Sequence, residues 1–271
     1  MVLLYSLMEK KPIGNCNCFV SIGFYGMIER EVQRRELPKS ERKGNKMNIL
    51  YEDSDMLVCV KQPGMPVQSD RSLDLDLVNQ LKNYLYGKDK KKEPYIGLVH
   101  RLDRPVGGVM VFGKTPQATR SLNRMIQNGQ MKKKYLCVVT KELSEEVGRE
   151  PKELRDYLKK DGRTNTSRVV GEKEPQAKLA ILRYQVLAVK EGQSLVEVEL
   201  LTGRHHQFRV QMAQHLGGLL GDTKYNQNGK GYGRDTGIAL FSHELCLPHP
   251  KTGKQMTFSA KPQGLLWQEW A

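Results

Sequence analysis

The chain contains 271 residues and carries a formal net charge of +14 at neutral pH, with 38% hydrophobic and 27% charged residues. This apolar fraction is sufficient for a folded core, so the composition excludes a chain that is disordered throughout. The excess of lysine and arginine predicts a polyanionic partner such as nucleic acid. No apolar run reaches the roughly 18–20 residues that a membrane-spanning helix requires, which argues against a membrane protein.

Residues 1–46 differ from the rest of the chain. Two apolar patches, Val2–Met8 and Cys18–Met27, precede a charged stretch, and no functional motif lies among them. The start lacks the basic segment and cleavage site of a secretory signal, so the predicted compartment is the cytoplasm. We interpret 1–46 as a small appendage, a poorly ordered extension or a stretch upstream of a later start at Met47, and 47–271 as the main domain.

From Met47 onward, the hydrophobic pattern becomes regular. Two apolar runs separated by the turn Asp53-Ser54-Asp55 predict a hairpin. One helix is predicted from about Ser72 to Tyr86, and a second begins with Thr115 as N-cap and Pro116 as its first residue, ending at Gly129. The strands predicted in this part of the chain are 48–52, 56–60, 109–112 and 135–139.

Residues 141–176 are polar and rich in basic side chains, and we predict them to be irregular and exposed. Beyond them, strands are expected at 179–189 and 195–201, then a helix from about His205 to Leu216 that ends at Gly217-Gly218, then strands at 238–245 and 256–259. Because hairpins outnumber helical crossovers, the sequence predicts an α+β fold with mainly antiparallel or mixed sheets.

Asp103 lies in a charged loop, His100–Pro105, just before a Gly-Gly turn and an apolar strand. Arginines at 101 and 104 flank it, and nearby cations favour the ionised carboxylate that a nucleophile requires. The alternative interpretation of the same residues is an ordinary loop ion pair.

Two further segments favour anion or nucleobase binding. At Thr202–Val210 a strand ends, Gly203 permits a turn and a helix begins, so Arg204 and free backbone N–H groups face one place. The alternative is a solvated basic helix start. Tyr135 follows three lysines, where an aromatic ring can stack on a base or simply fill the strand.

The cysteines and histidines do not form a predicted metal site. Cys16 and Cys18 are a lone Cys-x-Cys, without a second pair or nearby histidine to complete tetrahedral zinc coordination. His205 and His206 are adjacent on a predicted helix and therefore do not share a face.

In their order and spacing, these motifs resemble those of the RluA family of RNA pseudouridine synthases over roughly Met47 to Pro262. The matching segments are His100-Arg101-Leu102-Asp103 with Gly107-Gly108 and Lys114-Thr115, then Lys134-Tyr135-Leu136, Gly203–Val210 and Gly221-Asp222-x-x-Tyr225. The departures are Val106-Gly107, Gln211 and Phe241-Ser242, together with the lack of an S4-type RNA-binding domain in 1–46. None of them removes a group needed for the chemistry.

The resemblance implies the pseudouridine synthase fold, with a central mixed or antiparallel sheet, flanking helices and an RNA-binding cleft, as the catalytic domain 47–271. It implies isomerisation of uridine in rRNA or tRNA without a cofactor or metal, by a monomer that needs no protein partner. Asp103 would be the nucleophile, Arg204 would pair with it, and Tyr135 would stack on the flipped uracil and accept the C5 proton. The implied substrate contacts are Arg101, which would fill the vacated space, and His100, Gln207 and Arg209. His100 is interpreted as a structural loop residue rather than a base.

Two other functions fit parts of the pattern. One is a non-catalytic RNA-binding protein or ribosome assembly factor that keeps the fold, and the presence of Asp103 and Arg204 argues against it. The other is a hydrolase that cleaves the glycosidic bond of free nucleosides, and the basic charge argues against so small a substrate.

Overall fold

The computed structural model describes residues 47–68, 76–90, 93–226 and 237–270. The expectations for residues 1–46, and the predicted helix start at Ser72, lie outside these described residues. All the described residues belong to one compact unit.

A mixed eleven-stranded sheet forms the centre of the described part of the chain, and its main path runs in the order β1-β2-β4-β10-β5-β9-β8-β6-β7. The short strand β3 pairs with β4, and β11 pairs with β10. The strands are β1 (Asn48–Glu52), β2 (Met56–Lys61), β3 (Gly97–Leu98), β4 (Gly107–Gly113), β5 (Lys132–Val139), β6 (Lys152–Asp161), β7 (Thr166–Val170), β8 (Lys178–Lys190), β9 (Gln193–Leu200), β10 (Leu240–Pro248) and β11 (Gln255–Ser259).

Three α-helices pack against this sheet: α1 (Leu77–Lys88), α2 (Pro116–Gln127) and α3 (Gln207–His215). The predicted N-cap of α2 is confirmed, since the Thr115 hydroxyl accepts the backbone N–H of Ala118. The Asp76 carboxylate caps helix α1 by accepting the N–H of Asn79. Two short 3₁₀ segments, Ser144–Glu146 and Leu265–Trp270, complete the described helices.

The alternation of side chains along each strand divides the core between the two faces of the sheet. On β2, Leu57 and Cys59 belong to the cluster that contains residues of α1 and α3, including Leu81 and Met212. Met56 and Val58, which alternate with them along β2, belong to the cluster that contains residues of α2. The sheet is therefore covered by α1 and α3 on one face and by α2 on the other.

The prediction that residues 141–176 are irregular is wrong, because they contain β6 and β7. Their outward-facing charged residues are held by ion pairs along the strands and between them, for example Glu153 with Arg155 and with Arg183. The other predicted strands are present with boundaries within a few residues.

Among the named strands of the described residues, one parallel pair interrupts an otherwise antiparallel sheet. Strand β10 runs parallel to β4, with Phe241 opposite Gly107 and Ser242 opposite Gly108. Gly108 has φ +129°, and a Cβ there would meet the backbone of Ser242 at 2.4–2.5 Å, so only glycine fits. This close approach fixes the start of β4, and the loop that carries Asp103 ends at the same point.

Candidate active site

The loop between β3 and β4 presents Asp103 with 40% of its side chain exposed. A turn closes within the loop, where Val106 donates its N–H to the Asp103 carbonyl at 3.0 Å. Gly64 and Arg104 exchange two hydrogen bonds, from the Gly64 N–H and from the Arg104 Nε, which attach this loop to the segment after β2. Asp103 is therefore an accessible carboxylate on a fixed backbone.

Lys61 at the end of β2 fixes the same loop from inside, and the sequence analysis missed it. Its side chain is fully buried, and Nζ donates to the carbonyls of Met65 at 2.7 Å and of Gln62 and Arg104 at 3.1 Å. Burial lowers the pKa of Lys61 to about 7, although the charge of Asp103 opposes this shift. The sequence feature that could have indicated this residue is a lysine at the end of an apolar strand, just before Pro63-Gly64.

Helix α3 places Arg209 in the interior, where it pairs with Asp222. The guanidinium donates from Nε to Oδ2 at 2.8 Å and from Nη2 to Oδ1 at 2.6 Å, and the carboxylate is fully buried. Burial alone would lower the pKa of Arg209, but the hydrogen bonds and charge of Asp222, with a contribution from the charge of Asp103, raise it. Arg209 is thus a permanent buried cation that interacts electrostatically with Asp103.

The expected ion pair between Arg204 and Asp103 is not formed. Arg204 is exposed, its Nε donates to the Leu179 carbonyl at 2.8 Å, and it makes no ion pair with any carboxylate in the described ranges. A left-handed turn at His206 (φ +52°) separates Arg204 from the helix that carries Arg209. Arg209 pairs with Asp222, and the roles expected for Arg204 and Arg209 towards Asp103 and the substrate stay predictions.

His206 is the nearest titratable neighbour of Asp103 among the described side chains, with Nε2 3.8 Å from the carboxylate Oδ2. The Tyr225 hydroxyl accepts the Ser167 N–H and lies 2.8 Å from His206 Nδ1, so the phenol proton is free to bond Nδ1. When the phenol donates to Nδ1, the ring proton is on Nε2, which faces Asp103. Burial lowers the pKa of His206 to about 3, so the imidazole is neutral at physiological pH.

Tyr135 lies in the middle of β5, between β9 and β10, and only 5% of it is exposed. Its ring packs against Phe208 of α3 at a centroid distance of 4.5 Å. Burial raises the pKa of its phenol, and the charge of Asp103 acts in the same direction, while a hydrogen bond with Ser242 opposes them. The phenol therefore stays protonated at physiological pH. Its proposed stacking on uracil stays a prediction.

Two of the expected substrate contacts are occupied by structural bonds. His100 accepts the Val111 N–H through Nε2 at 3.1 Å, and burial holds the pKa of its ring well below the ordinary value. Gln207 is buried; its Oε1 accepts from Thr202 Oγ1 and Arg204 N, and its Nε2 donates to the Ile181 carbonyl. These bonds hold both residues in the framework of the site, and their contact with substrate stays a prediction. Arg101 is exposed beside Asp103, and its role stays a prediction.

Asp53, Asp55 and His249 place ligand-type atoms within 4.8 Å of one another, away from the Asp103 loop in sequence. Hydrogen bonds account for this group. His249 Nδ1 accepts the N–H groups of Lys251 and Thr252, so Nε2 carries the proton and donates to Asp53 at 2.7 Å. Neither imidazole nitrogen keeps a lone pair for a metal, and the group is a hydrogen-bonded turn.

Across the described residues, no helix is both long and apolar enough to span a bilayer. The model of the RNA pseudouridylate synthase family matches residues 55–214. An uncharacterized RNA pseudouridine synthase from Zymomonas mobilis is 32% identical over 183 residues, which is 66% of this chain and 78% of that protein. Ribosomal large subunit pseudouridine synthase D from Vibrio cholerae is 30% identical over 226 residues, 79% of this chain and 67% of that protein.

Solved structures with low identity show the fold. The human RNA pseudouridylate synthase domain containing 4 superposes with a TM-score of 0.64 at 22% identity, covering 79% of this chain and 88% of that one. This likeness confirms the predicted pseudouridine synthase fold. The family match and the relatives together show that this chain belongs to the RNA pseudouridine synthase family, whose members are RNA isomerases.

Proposed function

We propose that this chain isomerises uridine to pseudouridine in ribosomal or transfer RNA, with Asp103 as the nucleophile. The observation that supports it best is the accessible Asp103 carboxylate, 40% exposed, on a loop whose backbone is held by Lys61 and Gly64. A carboxylate that is accessible and fixed in place suits a nucleophile. Large-subunit rRNA is the first target to test, because similar proteins, among them the one from Vibrio cholerae, are named ribosomal large subunit pseudouridine synthases.

In the proposed reaction, Asp103 acts on the ribosyl group of a uridine that has left the base stack. The N1–C1′ bond breaks, the uracil turns, and a C5–C1′ bond forms. N1 gains a proton and C5 loses one, so atoms and electrons balance without an oxidant, a cofactor or a metal. Arg101, exposed in the same loop, is the proposed side chain that enters the vacated space.

The remaining groups hold the carboxylate and limit its contacts. The neutral His206 directs an N–H towards Asp103, and Lys61 fixes the backbone of its loop. Tyr135 of β5 and Phe208 of α3 pack together as an apolar wall. Proton acceptance by Tyr135 stays a prediction, and the raised pKa of the phenol argues against it. The cytoplasmic location and the monomeric state also stay predictions.

The test compares wild-type protein with Asp103→Asn under single-turnover conditions on unmodified large-subunit rRNA and transfer RNA transcripts. Asparagine keeps the size of the side chain but lacks its charge, so pseudouridine formation should be abolished. The free energy of unfolding should change by less than about 1 kcal/mol. Carbodiimide labelling detects pseudouridine, and mass measurement confirms that the nucleoside is an isomer. Glu145→Gln, which neutralises an exposed carboxylate elsewhere, is the matched control.

The outcomes separate the candidate functions. Pseudouridine formed by wild type and Glu145→Gln but not by Asp103→Asn supports the proposal. Free uracil released from nucleosides would indicate a hydrolase, and RNA binding with no product in any transcript would indicate a non-catalytic protein. A folded Asp103→Asn protein with near-normal turnover would refute the assignment of the nucleophile.

A further inference from the structure

A cavity of about 320 Å³ lies between the β6–β8 part of the sheet and the turn before α3. Its lining includes Leu158, Lys160, Ser167, Lys178, Arg204 and His205. A volume of this size falls at the lower end of the range for small-ligand sites, about 300–1,000 Å³. None of the residues that line it is acidic.

The strand register explains why these side chains share one face. Lys160 on β6 lies opposite Ser167 on β7, and Leu158 on β6 lies opposite Lys178 on β8. Directly opposed residues in antiparallel strands point to the same side, as do residues two apart on one strand. Both lysines therefore face the cavity beside the largely buried Leu158.

The cations of this cavity are not neutralised by the described part of the chain. Lys160 and Lys178 make no ion pair with a described carboxylate, and Arg204 uses only its Nε, on the Leu179 carbonyl. On the opposite face of the same strands, Lys159 and Arg168 both lie near Glu174, at 2.8 and 3.8 Å. Three like charges around one concavity repel one another unless an anion binds between them.

The cavity is adjacent to the candidate active site through two stacked imidazoles. His205 lines the cavity, its Nδ1 lies 2.8 Å from Ser167 Oγ, and its ring stacks on His206 at a centroid distance of 3.8 Å. His206 in turn lies 3.8 Å from the Asp103 carboxylate. A chain of nucleotides with its target at Asp103 can therefore extend into this cavity.

We propose that this cavity binds a nucleotide that flanks the target uridine in the substrate RNA, with Lys160, Lys178 and Arg204 on its phosphates and Leu158 as an apolar floor. The proposal rests on the proposed function, because it takes RNA as the ligand. The site contributes affinity and strand placement, and it takes no part in bond breaking.

The test measures binding of a labelled oligouridylate of about 12 nucleotides between roughly 50 and 300 mM KCl. Each phosphate contact to a single strand contributes roughly 0.7 to the slope of log affinity against log salt. Lys160→Gln/Lys178→Gln should therefore make this negative slope shallower by about 1.4 and weaken binding about tenfold near 0.15 M salt. Lys159→Gln/Arg168→Gln removes the same charge from the opposite face and should change the slope much less.

Two additional variants keep the test decisive. Lys160→Arg/Lys178→Arg should retain the wild-type slope. Arg204→Gln should make the slope shallower by roughly 0.7, and this variant tests the site if the double glutamine variant does not fold. Equal slopes for the cavity variants and the opposite-face control would overturn the proposal. A lower slope without pseudouridine in any RNA would support this site and refute the proposed reaction, whereas product with an unchanged slope would refute the site alone.

Discussion

Removing the Arg209 side chain should destabilise the protein far more than removing any exposed arginine. Arg209→Ala leaves the Asp222 carboxylate fully buried, with only the backbone N–H groups of Lys224 and Tyr225 as donors, at 2.9 and 3.2 Å. Breaking a buried ion pair by deleting one partner costs about 3–5 kcal/mol. In a domain of this size 1 kcal/mol corresponds to roughly 2–4 °C, so Tm should fall by about 6–20 °C.

The assay is thermal and urea unfolding of Arg209→Ala, Asp222→Asn and Arg209→Met/Asp222→Asn, followed by circular dichroism. The double variant has no unpaired buried charge, so it should be more stable than Arg209→Ala alone. Arg204→Ala is the matched control, because this exposed arginine pairs with no described carboxylate, and it should lose no more than about 0.5 kcal/mol. A loss below about 1 kcal/mol for Arg209→Ala, or equal losses for Arg209→Ala and the double variant, would refute this account of the pair.

Four further predictions follow from particular side chains. Burial lowers the pKa of Lys61 from 10.5 to about 7, so the unfolded chain binds more protons between these values and stability should rise with pH across that window. Lys61→Met should lack this rise in urea unfolding at pH 7 and about pH 9.5, and an identical pH dependence would contradict the assignment. Tyr135→Phe keeps the packing against Phe208. Because the Tyr135 phenol stays protonated, tritium release from C5 by this variant in a single turnover should fall by less than the roughly hundredfold expected on losing a general base. A larger loss would support Tyr135 as the proton acceptor. Excess chelator should leave turnover intact, since the nitrogens of His249 are engaged, and a loss that zinc alone restores would show this to be wrong. A chain that starts at Met47 should fold and convert saturating substrate. A shortened protein that folds but is inactive would show that the domain boundary at Met47 is wrong.

The sequence predicted the parts of the fold in which local signals agree with burial. The hairpin β1–β2, the Thr115-Pro116 start of α2 and the Gly217-Gly218 end of α3 each combine a turn or cap residue with an apolar pattern. Strands β6 and β7 were missed because both of their faces carry charged residues, so the alternation of apolar residues that identifies a half-buried strand is weak there. The Asp-Gly turn after β6 was the remaining signal.

The roles of the candidate site residues stay predictions, whereas their burial and hydrogen bonding follow only from the packed structure. Sequence position alone does not show that the backbone of His206 is left-handed or that Arg209 is buried against Asp222. For the same reason the burial of Lys61 and the saturation of Gln207 became visible only with the packed structure. Motifs locate reactive groups along a chain, whereas desolvation, which sets their charge state, depends on residues distant in sequence.

The position of β10 has a consequence for the order of folding. This strand separates β4, which follows the Asp103 loop, from β5, which carries Tyr135, although it begins 127 residues after the end of β4 and 101 after the end of β5. Contacts of such large sequence separation form slowly, because a long loop must close before the pairing stabilises it. During synthesis, the edge of β5 that pairs with β10, and the Gly107-Gly108 end of β4, therefore stay unpaired until the chain has been translated through Pro248. A nascent chain arrested before that point would expose two open strand edges and would be prone to aggregate.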